Sequence, residues 1–151
     1  MLQKTEQNIT GSCYCGSVQF SIASDTRPFL AGFCHCRGCR QAHAAPIYQY
    51  VYVEQAHFQI DAGSTLLNWY TKEPTARKYF KRYFCSRCGS KVYNYLQFNK
   101  DNKQTDLCGT FPSLFDDQEV ATTKTWSPQK HIYCAESIMN LDLIKDELPR
   151  Y

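Results

Sequence analysis

Cysteine is the residue type through which this 151-residue sequence could do chemistry. Seven of its nine cysteines form three groups in which neighbouring thiols are two or three positions apart. In chain order, the groups are Cys13-Tyr-Cys15, Cys34-His-Cys36-Arg-Gly-Cys39 and Cys85-Ser-Arg-Cys88. Thiolates at this spacing can reach one zinc ion at about 2.3 Å, and the glycine after the first and third groups allows a tight turn around the metal. The spacing therefore predicts metal sites built from thiolates.

The rest of the chain favours free thiols over disulfide bonds. The cysteine count is odd, the first residues lack the apolar core of a signal peptide, and no window approaches eighteen uncharged apolar residues. We therefore expect a cytoplasmic protein with no membrane contact, and disulfide bonds are rare in that compartment. Cys108 and Cys134 stand alone within apolar, strand-like runs, and each is predicted to be a small buried hydrophobic residue.

The seven grouped cysteines divide naturally into four and three. A structural zinc takes four protein ligands, whereas a catalytic zinc keeps three and leaves one position open. Spacing alone leaves two divisions open, because either the first group or two cysteines of the second group could join the third group. Only the first division leaves the second group intact, since the other would strand one cysteine.

The elements that must position these groups are mostly strands. Short runs rich in Tyr, Phe, Val and Ile alternate with polar residues at period two, which predicts antiparallel sheet. A short helix is expected at Arg37–Ala45, stopped by Pro46, and a turn at Pro112–Asp117. We expect one domain, 1–151, with frayed ends at 1–8 and 149–151. The candidate strands are Ser17–Ala23, Ala31–Cys34, Ile47–Glu54, Phe58–Asp61, Leu66–Thr71, Lys78–Phe84, Lys91–Phe98, Asp106–Thr110 and His131–Glu136.

Four segments together resemble the landmarks of a known family. The segments are Gly11-Ser-Cys-Tyr-Cys-Gly-Ser-Val18, Cys34-His-Cys-Arg-Gly-Cys39, Tyr83-Phe-Cys-Ser-Arg-Cys-Gly-Ser90 and Pro128-Gln-Lys-His-Ile-Tyr133. In type and order they are similar to the glutathione-dependent formaldehyde-activating enzyme and centromere protein V family. The resemblance implies an all-β fold of the β-tent type, with stacked antiparallel sheets and one short helix after the second cysteine group. It also implies an enzyme that joins formaldehyde to glutathione, which is formally a carbon–sulfur lyase acting in reverse.

The resemblance further implies two zinc ions per chain. A structural zinc would be held by Cys13, Cys15, Cys85 and Cys88, and a second zinc by Cys34, Cys36 and Cys39. His43 lies four residues after Cys39, so a helix would place both on one face, and His43 is a possible fourth ligand of the second zinc. The competing prediction is an open site, at which a substrate thiol would lose its proton. His35 is expected to point away from the metal, because adjacent strand residues face opposite sides.

Substrate contacts are predicted from charge and from aromatic residues. Carboxylates of a glutathione-type thiol would need cationic partners, for which Arg37, Arg40 and the Lys78–Arg87 group, Arg82 above all, are candidates. Six aromatic residues could line a pocket near the second zinc, although sheet packing is the first expectation for each and Tyr48 with its strand face is the best exception. They are Phe33, Tyr48, Tyr50, Tyr52, Trp69 and Trp126.

Two functions compete at this stage. One is an enzyme that acts at a carbon–sulfur bond with a small thiol such as glutathione and a small aldehyde. The alternative is a non-catalytic zinc-binding module that contacts nucleic acid or a protein partner through the basic stretch Lys72–Lys91. The net charge of only +3, without a long Lys/Arg tail, argues against nucleic acid and favours the enzyme. The sequence makes no prediction of oligomeric state.

Overall fold

The fold is mostly β, as predicted, with two sheets whose strands pair almost entirely antiparallel. The structure, a computed structural model, describes residues 7–72 and 79–151. Within these ranges two short helices are present, α1 (Arg37–His43) and α2 (Gln118–Thr122), of which only α1 was expected. The strands are β1 (Ile9–Ser12), β2 (Gln19–Ile22), β3 (Leu30–Cys34), β4 (Tyr48–Glu54), β5 (Phe58–Ala62), β6 (Leu67–Tyr70), β7 (Phe80–Cys85), β8 (Lys91–Lys100), β9 (Lys103–Thr110) and β10 (His131–Ile132).

The sheets differ in size and in the part of the chain that forms them. A three-stranded sheet has the order β1-β2-β5, and a seven-stranded sheet has the order β10-β3-β4-β9-β8-β7-β6. All neighbours pair antiparallel except β10, which runs parallel to β3 and pairs Ile132 with Cys34. The late segment of the chain therefore lies beside the strand that carries the second cysteine group.

Strand β4 shows how the period-two pattern divides the molecule. Val51 and Val53 are fully buried in the main core, where they join Phe20 and Ile22 of β2. The alternating tyrosines of β4 face the other side, and Tyr50 and Tyr52 join a smaller cluster with two cysteines of the second group. Burying each of these valines contributes about 1.5–3 kcal/mol, so one strand both stabilises the core and presents an aromatic face.

Several boundaries differ from the expectations. The predicted strand His131–Glu136 ends at Ile132, because Tyr133 adopts a left-handed backbone (φ 57°) and a 3-10 helix follows at Cys134–Glu136. Cys108 is buried as predicted, but Cys134 lies half-buried in this helix. The helix α1 ends before Ala44, which is also left-handed (φ 49°), and not at Pro46. Strand β1 was not predicted, and Lys78 of the predicted strand Lys78–Phe84 lies outside the described residues.

The last residues, predicted to fray, are instead hydrogen-bonded. The His131 amide donates to the carbonyl of Pro149 (2.8 Å), and the amide of Tyr151 donates to the carbonyl of His131 (3.0 Å). Of the predicted N-terminal frayed segment 1–8, residues 1–6 lie outside the described ranges, while the Asn8 side chain accepts a hydrogen bond from the Ser24 amide (3.2 Å). In the described part of the chain, no helix has the length and apolar character needed to cross a membrane.

Candidate metal centres

The first centre brings together cysteines that lie about seventy residues apart in the sequence, Cys13 and Cys15 with Cys85 and Cys88. The four Sγ atoms lie within 4.8 Å of one another, with Cys13 and Cys15 at 3.6 Å and Cys15 and Cys85 at 4.0 Å. Four sulfurs at 2.3 Å around a tetrahedral ion are separated by about 3.8 Å. The set is therefore spaced for a tetrahedral metal with four thiolates, and it is compatible with zinc.

Two glycine turns place these thiols. Gly16 and Gly89 follow the second cysteine of each pair, and both adopt left-handed backbone (φ 73° and 76°) that a side chain would strain. Their amides donate to the carbonyls of Cys13 (2.9 Å) and Cys85 (2.8 Å), which closes each turn around its sulfurs. One turn joins β1 to β2, and the other joins β7 to β8. A metal in this first centre would therefore connect the small sheet to the large one.

The second centre is built from a local segment. Cys34 ends β3, Cys36 caps the N-terminus of α1, and Cys39 lies in its first turn. Their three Sγ atoms lie within 4.8 Å of one another, and the Cys39 amide donates to the Cys36 sulfur (3.3 Å). Among the described residues no other His, Cys, Asp or Glu joins this group. The structure thus supports the division of the seven cysteines into four and three.

Polar contacts at the second centre favour thiolate at Cys39. The sulfur of Cys39 lies 3.3 Å from the Tyr48 hydroxyl and accepts from Arg82 Nη2 at 3.5 Å. Hydrogen bonds, first from Cys34 and then from Tyr48, outweigh burial and lower the pKa of the Cys39 thiol to about 5. The pKa of Cys34 is raised, first by its hydrogen bond to Cys39 and then by burial. Three thiolates around a divalent ion carry one net negative charge, which the Arg82 guanidinium offsets.

A cavity of about 550 Å³ opens over the second centre. Cys34, Cys36 and Cys39 form part of its wall, together with the tyrosine face of β4. Apolar side chains from three other strands complete the wall, and Glu136 is its acidic member. The remaining lining residues are Leu30, Gly38, Phe80, Leu96, Ile132 and Tyr133. A small organic molecule could therefore reach the three thiols.

Comparisons with known proteins agree with this geometry. The sequence model described as glutathione-dependent formaldehyde-activating enzyme matches residues 8–136. The chain belongs to this family. A crystal structure of a Rhodobacter sphaeroides protein, a structural genomics target, is similar in fold at 16% sequence identity, with a TM-score of 0.54 over 94% of this chain and 99% of that one. None of the curated proteins compared with the chain gives a significant match.

In this member of the formaldehyde-activating family, His43 is not part of the three-thiol group. Its ring stacks on Tyr48, with centroids 4.4 Å apart and planes at 9°, and meets the edge of Phe111 at 4.9 Å. Burial, with smaller effects of Arg82 and Lys91, lowers the pKa of His43 to about 4, so the ring is neutral near pH 7. The structure thus packs the His43 ring between Tyr48 and Phe111.

The arginines expected to bind substrate carboxylates are dispersed. Arg40 donates from Nε to the carbonyl of His35 and from Nη2 to the carbonyl of Glu136, both at 3.0 Å, which uses its guanidinium to hold backbone. Arg37 is exposed, and its backbone amide donates to Glu136 Oε2 (2.8 Å). Arg82 faces the Cys39 sulfur. Arg37 and Arg40 thus both contact Glu136, whereas Arg82 contacts Cys39.

The other residues predicted to contact substrate also lie in different parts of the structure. Within the Lys78–Arg87 group, Lys81 lies over the Trp69 ring (4.6 Å) and Arg87 donates to Ser17 Oγ (3.1 Å) near the first centre. Of the six candidate aromatics, the three tyrosines of β4 line the cavity, whereas Trp126 packs in the core against Phe115.

Sequence reasoning missed three polar residues near the second centre. Glu136 lines the cavity, and the half-buried Asp146 and the buried His131 form a hydrogen-bonded polar chain with His35. His35 points toward His131, consistent with the expectation that it avoids the metal. In the sequence, His131 lies in the family-like segment Pro128–Tyr133 and in a predicted strand, neither of which indicates a polar role.

Proposed function

We propose that this protein is a zinc-dependent enzyme that forms or cleaves a carbon–sulfur bond between a glutathione-type thiol and a small aldehyde. The family supports a formaldehyde-activating, glutathione-related function. The observation that carries the proposal for this chain is the exposure of three thiols, and not four, to the 550 Å³ cavity.

The two centres suit different roles. The four-cysteine centre fits a closed structural zinc, whereas Cys34, Cys36 and Cys39 fit a zinc with one position free. A zinc ion held there would supply a position that favours a deprotonated thiol over water and would polarise a carbonyl oxygen.

The side chains around the sulfurs then have defined tasks. Burial, followed by nearby tyrosine and thiol charges, raises the pKa of Tyr48, so its hydroxyl stays protonated and can donate to the Cys39 thiolate. Arg82 offsets the excess negative charge. The tyrosine and leucine walls exclude water and hold the aldehyde near the thiol. In the addition, the thiol loses its proton, sulfur bonds to the carbonyl carbon, and the carbonyl oxygen takes up a proton.

Cobalt substitution tests the proposal, because tetrahedral cobalt thiolates absorb according to their ligands. We expect glutathione to change the spectrum of the cobalt protein, and S-methylglutathione, which lacks the free thiol, to leave it unchanged. Cys39→Ser should remove the response, whereas Cys108→Ala, a buried cysteine outside both centres, should retain it.

Catalysis is tested by nuclear magnetic resonance exchange between glutathione and formaldehyde. The zinc protein should accelerate formation of the adduct, and Cys39→Ser should not. A cobalt spectrum that ignores glutathione in the wild type but responds in His43→Ala would show a closed site. That result, particularly with salt-dependent DNA binding, would favour the zinc-binding module instead.

A further inference from the structure

A chain of hydrogen-bonded polar side chains, half-buried at Asp146 and fully buried at His131 and His35, runs from the late segment of the protein to the second cysteine group. Asp146 Oδ2 lies 2.7 Å from His131 Nε2, and His131 Nδ1 lies 2.8 Å from His35 Nε2. Both histidines are 0% exposed, and their rings stack at a centroid distance of 5.1 Å. None of the three lines the cavity. They therefore lie outside the cavity in which a substrate would meet the three thiols.

The hydrogen-bond pattern fixes the proton between Asp146 and His131. The pKa of Asp146 is below its ordinary range, because hydrogen bonds from His131 and the Leu148 amide outweigh burial, which acts in the opposite direction. An ionised carboxylate only accepts, so His131 Nε2 must carry a proton. His131 Nδ1 and His35 Nε2, 2.8 Å apart, then share one proton between them. His35 Nδ1 is buried and has no hydrogen-bond partner.

This chain of polar side chains ends at His35, between two of the three thiols. His35 separates Cys34 from Cys36, and its backbone is held on both sides. Its amide donates to the carbonyl of Ile132 (3.0 Å), and its carbonyl accepts from Arg40 Nε (3.0 Å). With the ring tied to His131, His35 has little freedom left. These contacts fix the backbone directions from His35 to Cys34 and from His35 to Cys36 without a bound metal.

We propose that Asp146, through His131 and His35, positions the Cys34–Cys36 segment for metal binding at the second centre. This inference rests on the proposed function only in that the second centre holds zinc. Without the chain, metal binding would have to order this segment, and that ordering would weaken the affinity. Groups that orient ligands in this way typically change metal affinity 10–100-fold when mutated. The three residues are positioning residues, since none belongs to the three-thiol group or lines the cavity.

Zinc competition against a chromophoric chelator tests the positioning role. We expect Asp146→Ala to weaken the second, more labile zinc by about 10-fold, within the range for such groups, while the zinc of the four-cysteine centre stays bound. Asp146→Asn keeps an acceptor for His131 Nε2 and should restore part of the affinity. Asp142→Asn, an exposed acid on the same segment, is the matched control and should bind zinc like the wild type.

Nitrogen resonances of the imidazoles test the hydrogen-bonded contacts directly. His131 should show a protonated Nε2, and His131→Gln should shift the His35 resonances even if its fold is intact. His35 resonances that ignore His131→Gln, or second-site affinity in Asp146→Ala within twofold of Asp142→Asn, would overturn the inference. If affinity falls as expected but glutathione leaves the cobalt spectrum unchanged, the positioning role stands and the proposed enzyme fails. The reverse result would retain the enzyme and reject the positioning role.

Discussion

The two cysteine centres differ in what holds them and in what they can do. The first brings together turns that lie about seventy residues apart, one in each sheet, so that a metal there would connect the two sheets. The second comes from six consecutive positions, 34–39, supported by Tyr48, Arg82 and the His35 chain and open to a cavity. The same ligand type therefore suits a structural role where it spans distant segments. It suits the proposed chemistry where a local loop is surrounded by polar side chains and borders a cavity.

The sharpest test of this contrast removes one thiol from each centre. Cys85→Ser should give insoluble or molten protein, because a structural zinc can contribute on the order of 10–16 kcal/mol in apparent binding free energy. Cys36→Ser should leave a folded protein, because the strands on both sides of the second centre are held by backbone pairing. Near-ultraviolet circular dichroism and thermal melting measure both. Parent-like melting of both variants would contradict the structural role of the first centre.

The next test concerns the charge at the second centre. Arg82→Gln leaves the three thiolates without their cation, and we expect glutathione binding to the cobalt protein to weaken roughly 10-fold or more, the range for a hydrogen bond to a charged group. Lys124→Gln lies in a separate groove and is the control, expected within twofold of the wild type. Equal affinities in the two variants would show that Arg82 does not support the site.

The sequence predicted the centres better than their surroundings, for physical reasons. Metal ligation demands specific residues at specific spacings, so the cysteine groups and the division into four and three were visible without coordinates. Strand alternation likewise placed the tyrosines of β4 on one face. The partners of Arg40 and His35 were not visible, because they come from segments about 95 residues away that only the parallel pairing of β10 with β3 brings close.

Removal of the Tyr48 hydroxyl group is expected to have a smaller effect on glutathione binding. Tyr48→Phe keeps the ring that stacks on His43 and removes the oxygen 3.3 Å from Cys39. Loss of a single hydrogen bond of about 1 kcal/mol should weaken glutathione binding by roughly 5-fold, without a change in zinc content. Tyr95→Phe, a tyrosine outside the cavity lining, is the matched control. A spectrum and affinity identical to wild type would place the hydroxyl outside the working site.

The smallest effect at the second centre is expected from His43. His43→Phe preserves the aromatic stack and removes both nitrogens, so the glutathione response of the cobalt protein should stay within twofold of the wild type. A large change in the cobalt absorption of His43→Phe before any thiol is added would instead make His43 a ligand. In that case the two centres would both be closed, and the contrast between them would disappear.

His43→Phe also tests the direction in which the free energy of unfolding changes with pH. The pKa of His43 is lowered to about 4 by burial, while an unfolded histidine titrates near 6.5. Between these values the unfolded chain binds a proton that the folded chain does not, so stability rises with pH through this window and falls on acidification. From pH 7 to 5.5, the free energy of unfolding should drop by up to about 1 kcal/mol more in the wild type than in His43→Phe. Denaturant unfolding of both proteins measures the difference, and parallel pH curves would show that His43 is solvated and not packed between Tyr48 and Phe111.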